Sequence, residues 1–162
     1  MCGYNFHTYP GGRIVFGSET KCGAKNTWVS RKEIRVGKHT RLGYDLLVMD
    51  SNFHFTKDRE TSTVRKVDHT VVFGQYNWIN SRVIVNAGTR TPDNLIVASG
   101  SLLNKDYTAS VPEYSLVGGT PAKLIKTGVT RVWNGRTEDA LREYFACSGA
   151  PTMEMDDTMP VK

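Results

Sequence analysis

Residues 115–126 read Ser115-Leu116-Val117-Gly118-Gly119-Thr120-Pro121-Ala122-Lys123-Leu124-Ile125-Lys126. They close a run in which large apolar residues recur every six positions: Phe73, Ile79, Val85, Val97 and Leu103, with Thr91 the exception. A six-residue period is what a solenoid with three short strands per turn demands, because each flat face contributes one large inward residue. The register appears earlier at Val36, Leu42 and Val48. A shifted copy runs through Phe16, Cys22, Trp28 and Ile34, with a two-residue slip before Val36. A second, smaller inward position follows four residues on: Thr40, Leu46 and Asn52, then Asn77, Val83, Thr89, Leu95 and Ser101. Gly17, Gly23, Gly37, Gly43 and Gly74 stand just after large inward residues, where tight corners with positive φ are expected. An ordinary sandwich would alternate with a period of two, and that alternation fails here.

The stretch from Phe73 to Lys126, headed by Gly74-Gln75-Tyr76-Asn77-Trp78-Ile79-Asn80 and ended by Gly-Thr-Pro-Ala-Lys, resembles the hexapeptide-repeat acyltransferases. The similarity is to galactoside, serine and polysaccharide O-acetyltransferases and is strongest over residues 36–126. It implies an all-β fold, a left-handed parallel β-helix, which is an exception to the usual right-handed crossover. Residues 1–126 are expected to form this domain, with a loop insertion at 54–66, and residues 127–162 a helical extension and tail. In that extension Thr137 is the expected N-cap, Glu138 and Asp139 suit a first helical turn, and Gly149 suits a stop. Leu141, Tyr144 and Phe145 form a stripe expected to pack on the solenoid or on a neighbouring subunit.

Bulk properties narrow the function classes. A chain of 162 residues suits one core. Its longest apolar stretches, such as Val83-Ile84-Val85, are far too short for a membrane span. Cys2, Cys22 and Cys147 are an odd set without metal-ligand spacing, which reads as reduced thiols in a cytoplasmic protein. The formal net charge of +5 is densest at Arg31, Lys32, Arg35, Lys38 and Arg41. No aromatic platform or nucleic-acid module accompanies that stretch, so it reads as a solvated face rather than a nucleic-acid surface. Lys105, Lys123, Lys126 and Arg131 better suit a polyphosphate held at one end of the solenoid.

The two repeat blocks are separated by a polar stretch, Phe53 to Lys66, that breaks the register. His54 stands at its root, in Met49-Asp50-Ser51-Asn52-Phe53-His54. The resemblance implies that His54 is the general base of a CoA-dependent acetyl transfer to a sugar-type hydroxyl. A neutral imidazole suits proton abstraction near neutral pH. Asp50 either orients that imidazole or satisfies backbone amides at a turn. Trp78 either walls the cleft or is a bulky corner residue. His39 and His69 read as turn histidines, His69 being the fallback base, and His7 carries little information.

Acetyl-CoA is the implied cosubstrate, and no metal is expected. By the same resemblance Ser81 contacts the CoA arm and Ser99 is the small residue on which pantetheine lies. Asn104 and Lys105 take the place of a Thr-Lys pair at the nucleotide end, with Asn for Thr a departure. Lys123 and Lys126 stand near the phosphates, as point charges. A homotrimer with its acceptor cleft between subunits is implied, the 55–66 loop reaching towards a neighbour. Three other readings stay open: N-acetylation of an amino sugar, a γ-carbonic-anhydrase-like metalloenzyme, and a non-catalytic trimeric scaffold. His39, His54 and His69 lack the ligand spacing the metalloenzyme needs.

Overall fold

The computed structural model describes residues 4–155, which divide into two compact units at Val129/Thr130. In the first unit the chain winds as a three-sided parallel solenoid. The lead strand is β1 (Asn5–Thr8); the first full coil is β2 (Ile14–Phe16), β3 (Lys21–Cys22) and β4 (Thr27–Ser30). The next is β5 (Ile34–Val36), β6 (Arg41–Leu42) and β7 (Leu47–Met49). After the interruption come β8 (Val71–Phe73), β9 (Trp78–Ile79) and β10 (Ile84–Val85), then β11 (Ile96–Val97) and β12 (Leu102–Leu103). Finally β13 (Ser115–Gly118) is followed by β14 (Lys123–Thr127), which runs back antiparallel to it. The faces are sheets of order β1-β4-β7-β10-β12, β14-β13-β11-β9-β6-β3 and β2-β5-β8, called here faces 1, 2 and 3.

The expected registers stack as columns. Phe16 pairs Val36 and Val36 pairs Phe73; Cys22, Leu42, Ile79, Val97 and Val117 form a second column; Trp28, Val48, Val85 and Leu103 form a third. Nearly all are fully buried, which gives the narrow interior its apolar filling. Phe16, 38% exposed, lies in the first full coil and packs edge-on against the Phe6 and Trp28 rings. Thr91 interrupts the apolar series without interrupting the geometry. It is buried, and its hydroxyl accepts a 3.0 Å bond from the Gly74 amide. Asn52 departs from expectation: it is exposed, because the chain leaves the solenoid at the buried pair Asp50 and Ser51.

The corner glycines are present for a different reason from the one expected. Gly17, Gly23, Gly37, Gly43 and Gly74 do not have positive φ. Left-handed φ falls two residues later, at Glu19, Lys25, His39, Asp45 and Tyr76, and then at Arg82 and Asn94. The glycines are required by close stacking of coils: a Cβ at Gly37 would lie 2.4 Å from the Gly74 carbonyl oxygen. One at Gly74 would lie 2.5 Å from that of Pro92.

The spacing of paired residues locates the insertion. Ile84 pairs with Leu102, eighteen residues later, whereas Leu47 pairs with Ile84, thirty-seven later. The surplus is an arm closed by the antiparallel bridges Ser51–Asp68 and Lys57–Val64. Its tip turns on Asp58, whose Oδ1 accepts from the amides of Glu60 and Thr61.

In the second unit, α1 spans Gly135–Ser148. Its N-cap is Asn134 rather than Thr137: the Asn134 side chain accepts from the amides of Arg136 and Thr137, while Thr137 is buried one turn inside. Gly149, at φ 63°, ends it as expected. Arg131 bonds Glu138 at 3.3 Å and lies over the Trp133 ring.

Candidate functional site

His54 lines an open groove of about 700 Å³ with His7, Tyr9, Thr27, Val29, Arg31 and Phe53. The fold explains the grouping. β1 lies beside β4 with His7 opposite Val29, so alternate outward residues of both strands form its floor. The corner after β4 supplies Arg31, and the root of the arm supplies Phe53 and His54. Phe53 adopts left-handed φ, 59°, and the His54 amide bonds back to the Asn52 carbonyl at 2.6 Å. The His54 ring makes no hydrogen bond to the chain among the described residues, which leaves both nitrogens to a ligand.

Asp50 does not reach that ring. Its Oδ1 accepts from the Arg31 amide at 2.7 Å, and its Oδ2 accepts from the Ser30 hydroxyl at 2.6 Å and the Lys32 amide at 2.9 Å. Of the two expected alternatives, the geometry is that of a carboxylate buried in a turn, and it ties the root of the arm to the 30–32 corner. His69 donates its amide to the Asp50 carbonyl, and its Nε2 lies 3.1 Å from the Lys66 carbonyl. Trp78 lies on the outer side of face 2, paired with Arg41 and Ile96, and does not line the His54 groove. His39 stacks on Tyr76 with ring centroids 4.7 Å apart.

Of the residues assigned to CoA by resemblance, Ser81 and Ser99 occupy another edge, while Asn104 and Lys105 follow the same border of face 1 from which the arm leaves. Ser81 and Ser99 follow β9 and β11, eighteen residues apart, so they sit on successive coils at the corner between faces 2 and 1. The Gly100 amide donates to the Ser81 carbonyl and the Leu102 amide to the Gly119 carbonyl, which continues this stack into the Gly-Thr-Pro-Ala turn. Ser81 Oγ accepts from the Tyr44 amide at 3.1 Å, leaving its own proton to donate. Ser99 is exposed, and a Cβ at Gly100 would meet nothing within 4 Å. This edge therefore offers the low relief an extended arm needs. Lys123 opens β14 directly beyond the turn; Lys126 lies farther along the same strand, and both are exposed. Asn104 and Lys105 are exposed at the next corner, between faces 1 and 3, with Lys105 Nζ 5.3 Å from the Tyr107 ring. Within one chain the structure thus places His54 and the Ser81/Ser99 edge on opposite borders of face 1. A six-residue face at ~3.3 Å per residue separates them by roughly 20 Å.

The sequence reading missed Tyr9 and Arg31 as groove residues and set His7 aside. Their signal was topological: β1 joins β4, so the Tyr/His lead and the basic corner meet. Arg31 had been grouped with Arg35 and Arg41, which serve elsewhere: Arg35 pairs Glu33 at 2.8 Å, and Arg41 bonds the Glu19 carbonyl. Among the described residues, no group of three or more His, Cys, Asp or Glu is placed to hold a metal ion, and no helix is long and apolar enough to cross a membrane. Burial pushes the Cys22 thiol up, though Asn26 bonds its sulfur.

In sequence and fold this chain is similar to the hexapeptide-repeat acetyltransferases. It is 25% identical over 114 residues to WbbJ of Escherichia coli K12, a protein named for lipopolysaccharide biosynthesis O-acetyl transfer, covering 64% of this chain. The chain spans 56% of the length of that relative. The hexapeptide-repeat acetyltransferase VCA0836 of Vibrio cholerae, solved with acetyl-CoA, superposes with a TM-score of 0.63 at 25% identity, over 78% of this chain and 67% of that one. The maltose O-acetyltransferase of Clostridium difficile, at 21% identity, shares the fold with a TM-score of 0.62, over 76% of this chain and 63% of its own. No family model matches the sequence.

Proposed function

We propose that the chain is the solenoid of an acetyl-CoA-dependent O-acetyltransferase acting on a sugar hydroxyl, with His54 as general base. The observation that carries the proposal is His54 itself: a ring with no hydrogen-bond partner among the described residues, lining an open groove, on a fold shared with an acetyltransferase solved with acetyl-CoA. Acetyl-CoA supplies the acetyl group as an activated thioester. Ser81, Ser99 and Lys123 fit its extended arm and phosphates by their low relief and terminal charge. His54 accepts the proton of the acceptor hydroxyl as that oxygen attacks the carbonyl carbon, then returns it to the departing sulfur. A backbone amide of the solenoid wall serves as oxyanion donor.

The roughly 20 Å between His54 and the Ser81/Ser99 edge supports a further element of the proposal. The working site pairs His54 of one copy with the CoA edge of the next, in a homotrimer. The acceptor, not the base, separates O- from N-acetylation, since the same imidazole deprotonates an ammonium.

The experiment is free-thiol release from acetyl-CoA over a panel of sugars and amino sugars. In that assay His54→Ala is expected to lose about 10²–10⁴-fold in kcat while CoA affinity stays within a few-fold. Undiminished turnover in this variant removes His54 from the mechanism.

A further inference from the structure

We infer that the His54 groove is built for an anionic sugar, with Arg31 as the group that grips its carboxylate or phosphate. The inference rests on the acetyltransferase reading above and adds the chemical class of the acceptor.

Arg31 is held from four directions. Its backbone amide donates to the buried Asp50 carboxylate at 2.7 Å. Its guanidinium carbon lies 5.1 Å from the Tyr9 ring centroid and 6.0 Å from that of Phe53. Those two rings in turn pack at 5.5 Å. Its Nε faces Asp68 Oδ1 at 3.8 Å, too long for a hydrogen bond, so Asp68 orients the fork and offsets only part of its charge. Neither Nη donates to any group of the described chain. A planar fork stacked beside two rings, with both Nη groups open, is the geometry that binds an oxyanion bidentately.

The rest of the lining agrees. His7, Thr27 and His54 add donors, Val29 and the two rings add apolar surface, and among the described residues the carboxylate nearest the guanidinium is Asp68, outside the groove lining. A neutral sugar would leave the guanidinium edge without a partner once water is displaced. An anionic sugar pairs with it and brings its hydroxyls beside His54. Arg13 and Arg35, by contrast, are both committed to Glu33. Sequence order therefore does not show that Arg31, rather than Arg35, shares the groove with His54.

The test compares methyl glucuronide, glucose 1-phosphate and methyl glucoside as acceptors in thiol release, alongside ligand-observed NMR binding, for wild type, Arg31→Gln and Arg31→Lys. Wild type is expected to favour an anionic sugar over methyl glucoside by about 10–100-fold in kcat/KM, the span for a hydrogen-bonded charge pair. In Arg31→Gln that ratio falls towards one through KM, while Arg31→Lys keeps part of it, and added salt erodes it in wild type. Preference for the glucuronide identifies the anion as a carboxylate, and preference for glucose 1-phosphate as a phosphate. Equal treatment of all three sugars by wild type overturns the inference, as does a ratio unmoved by Arg31→Gln. If thiol release fails with every sugar, the acetyl-transfer reading falls and the NMR binding ratio alone decides on the anion site. Thermal melts check folding; if Arg31→Gln does not fold, Arg31→Lys and the salt titration decide.

Discussion

Two kinds of corner residue do different work in this solenoid, and only one of them is glycine. At positions such as Gly37 the neighbouring coil comes so close that a Cβ would lie 2.4 Å from backbone. Two residues after these glycines the chain takes left-handed φ, a conformation costing a non-glycine residue about 1–2 kcal/mol. Lys25 is an exposed example, at φ 63°. Gly37→Ala is therefore expected to lower the unfolding free energy by about 1–3 kcal/mol, as overpacking does. Lys25→Gly trades relief of strain against added chain entropy and should change it by less than about 1 kcal/mol. Urea denaturation of both variants checks the contrast; an unchanged Gly37→Ala beside a stabilised Lys25→Gly would show that φ, not coil stacking, governs these corners. His54 and Asp50 teach a similar lesson. Both were singled out from one short string, yet the carboxylate faces inward to the 30–32 turn and the imidazole faces the groove.

At the scale of elements, strands of two to five residues cannot hold together through their own length. They are held by columns that cross coils, and charged columns supplement the apolar ones. Between β2 and β5, Glu33 bridges Arg13 and Arg35 on its way into the core edge. The Arg35 hydrogen bond, ahead of that from Arg13, holds the Glu33 carboxyl below the usual range. Because the folded state depresses this pKa, its stabilisation is complete above the unfolded value, near 4.5. It is lost as pH falls through the lower folded value. Thermal melts from pH 6 to pH 3 should show a steeper decline for wild type than for Glu33→Gln, and parallel declines would assign the acid sensitivity to other carboxylates. The arm rooted at Asp50 is an element of another kind. It interrupts the repeat without disturbing it, since Leu47 still pairs with Ile84 across it. Along its length it exposes Phe55, at 68%, and Val64. The period that marks the coils was legible on both sides of this arm; the arm itself has no period, so its hairpin form was not.

For the whole molecule, the separation of His54 from the Ser81/Ser99 edge makes a prediction about assembly. If each working site takes its base from one copy and its CoA edge from the next, two inactive variants should complement. His54→Ala and Ser99→Trp, each prepared alone, are expected to lack thiol release. Mixed and reassembled, about one interface in four would carry His54 facing an unblocked edge, given a closed symmetric ring with random composition. Recovery near that fraction of wild-type rate supports the shared site. No recovery from variants shown to co-assemble would return the whole site to one chain.

The six-residue recurrence of Phe73, Ile79, Val85, Val97 and Leu103, together with the Gly-Thr-Pro-Ala-Lys ending, pointed to a three-sided coil, because a narrow prism admits one large side chain per face and repeats that demand at every turn. The Gly118–Lys123 stretch marked the end of the repeat, and the broken period located the arm; that the chain then runs back antiparallel was seen only in the structure. What lies beside His54 was decided only in three dimensions. Coiling sets Tyr9 and Arg31 next to Phe53 although they are distant in sequence, and a register records which face a residue occupies but not which neighbours its coil brings across an edge.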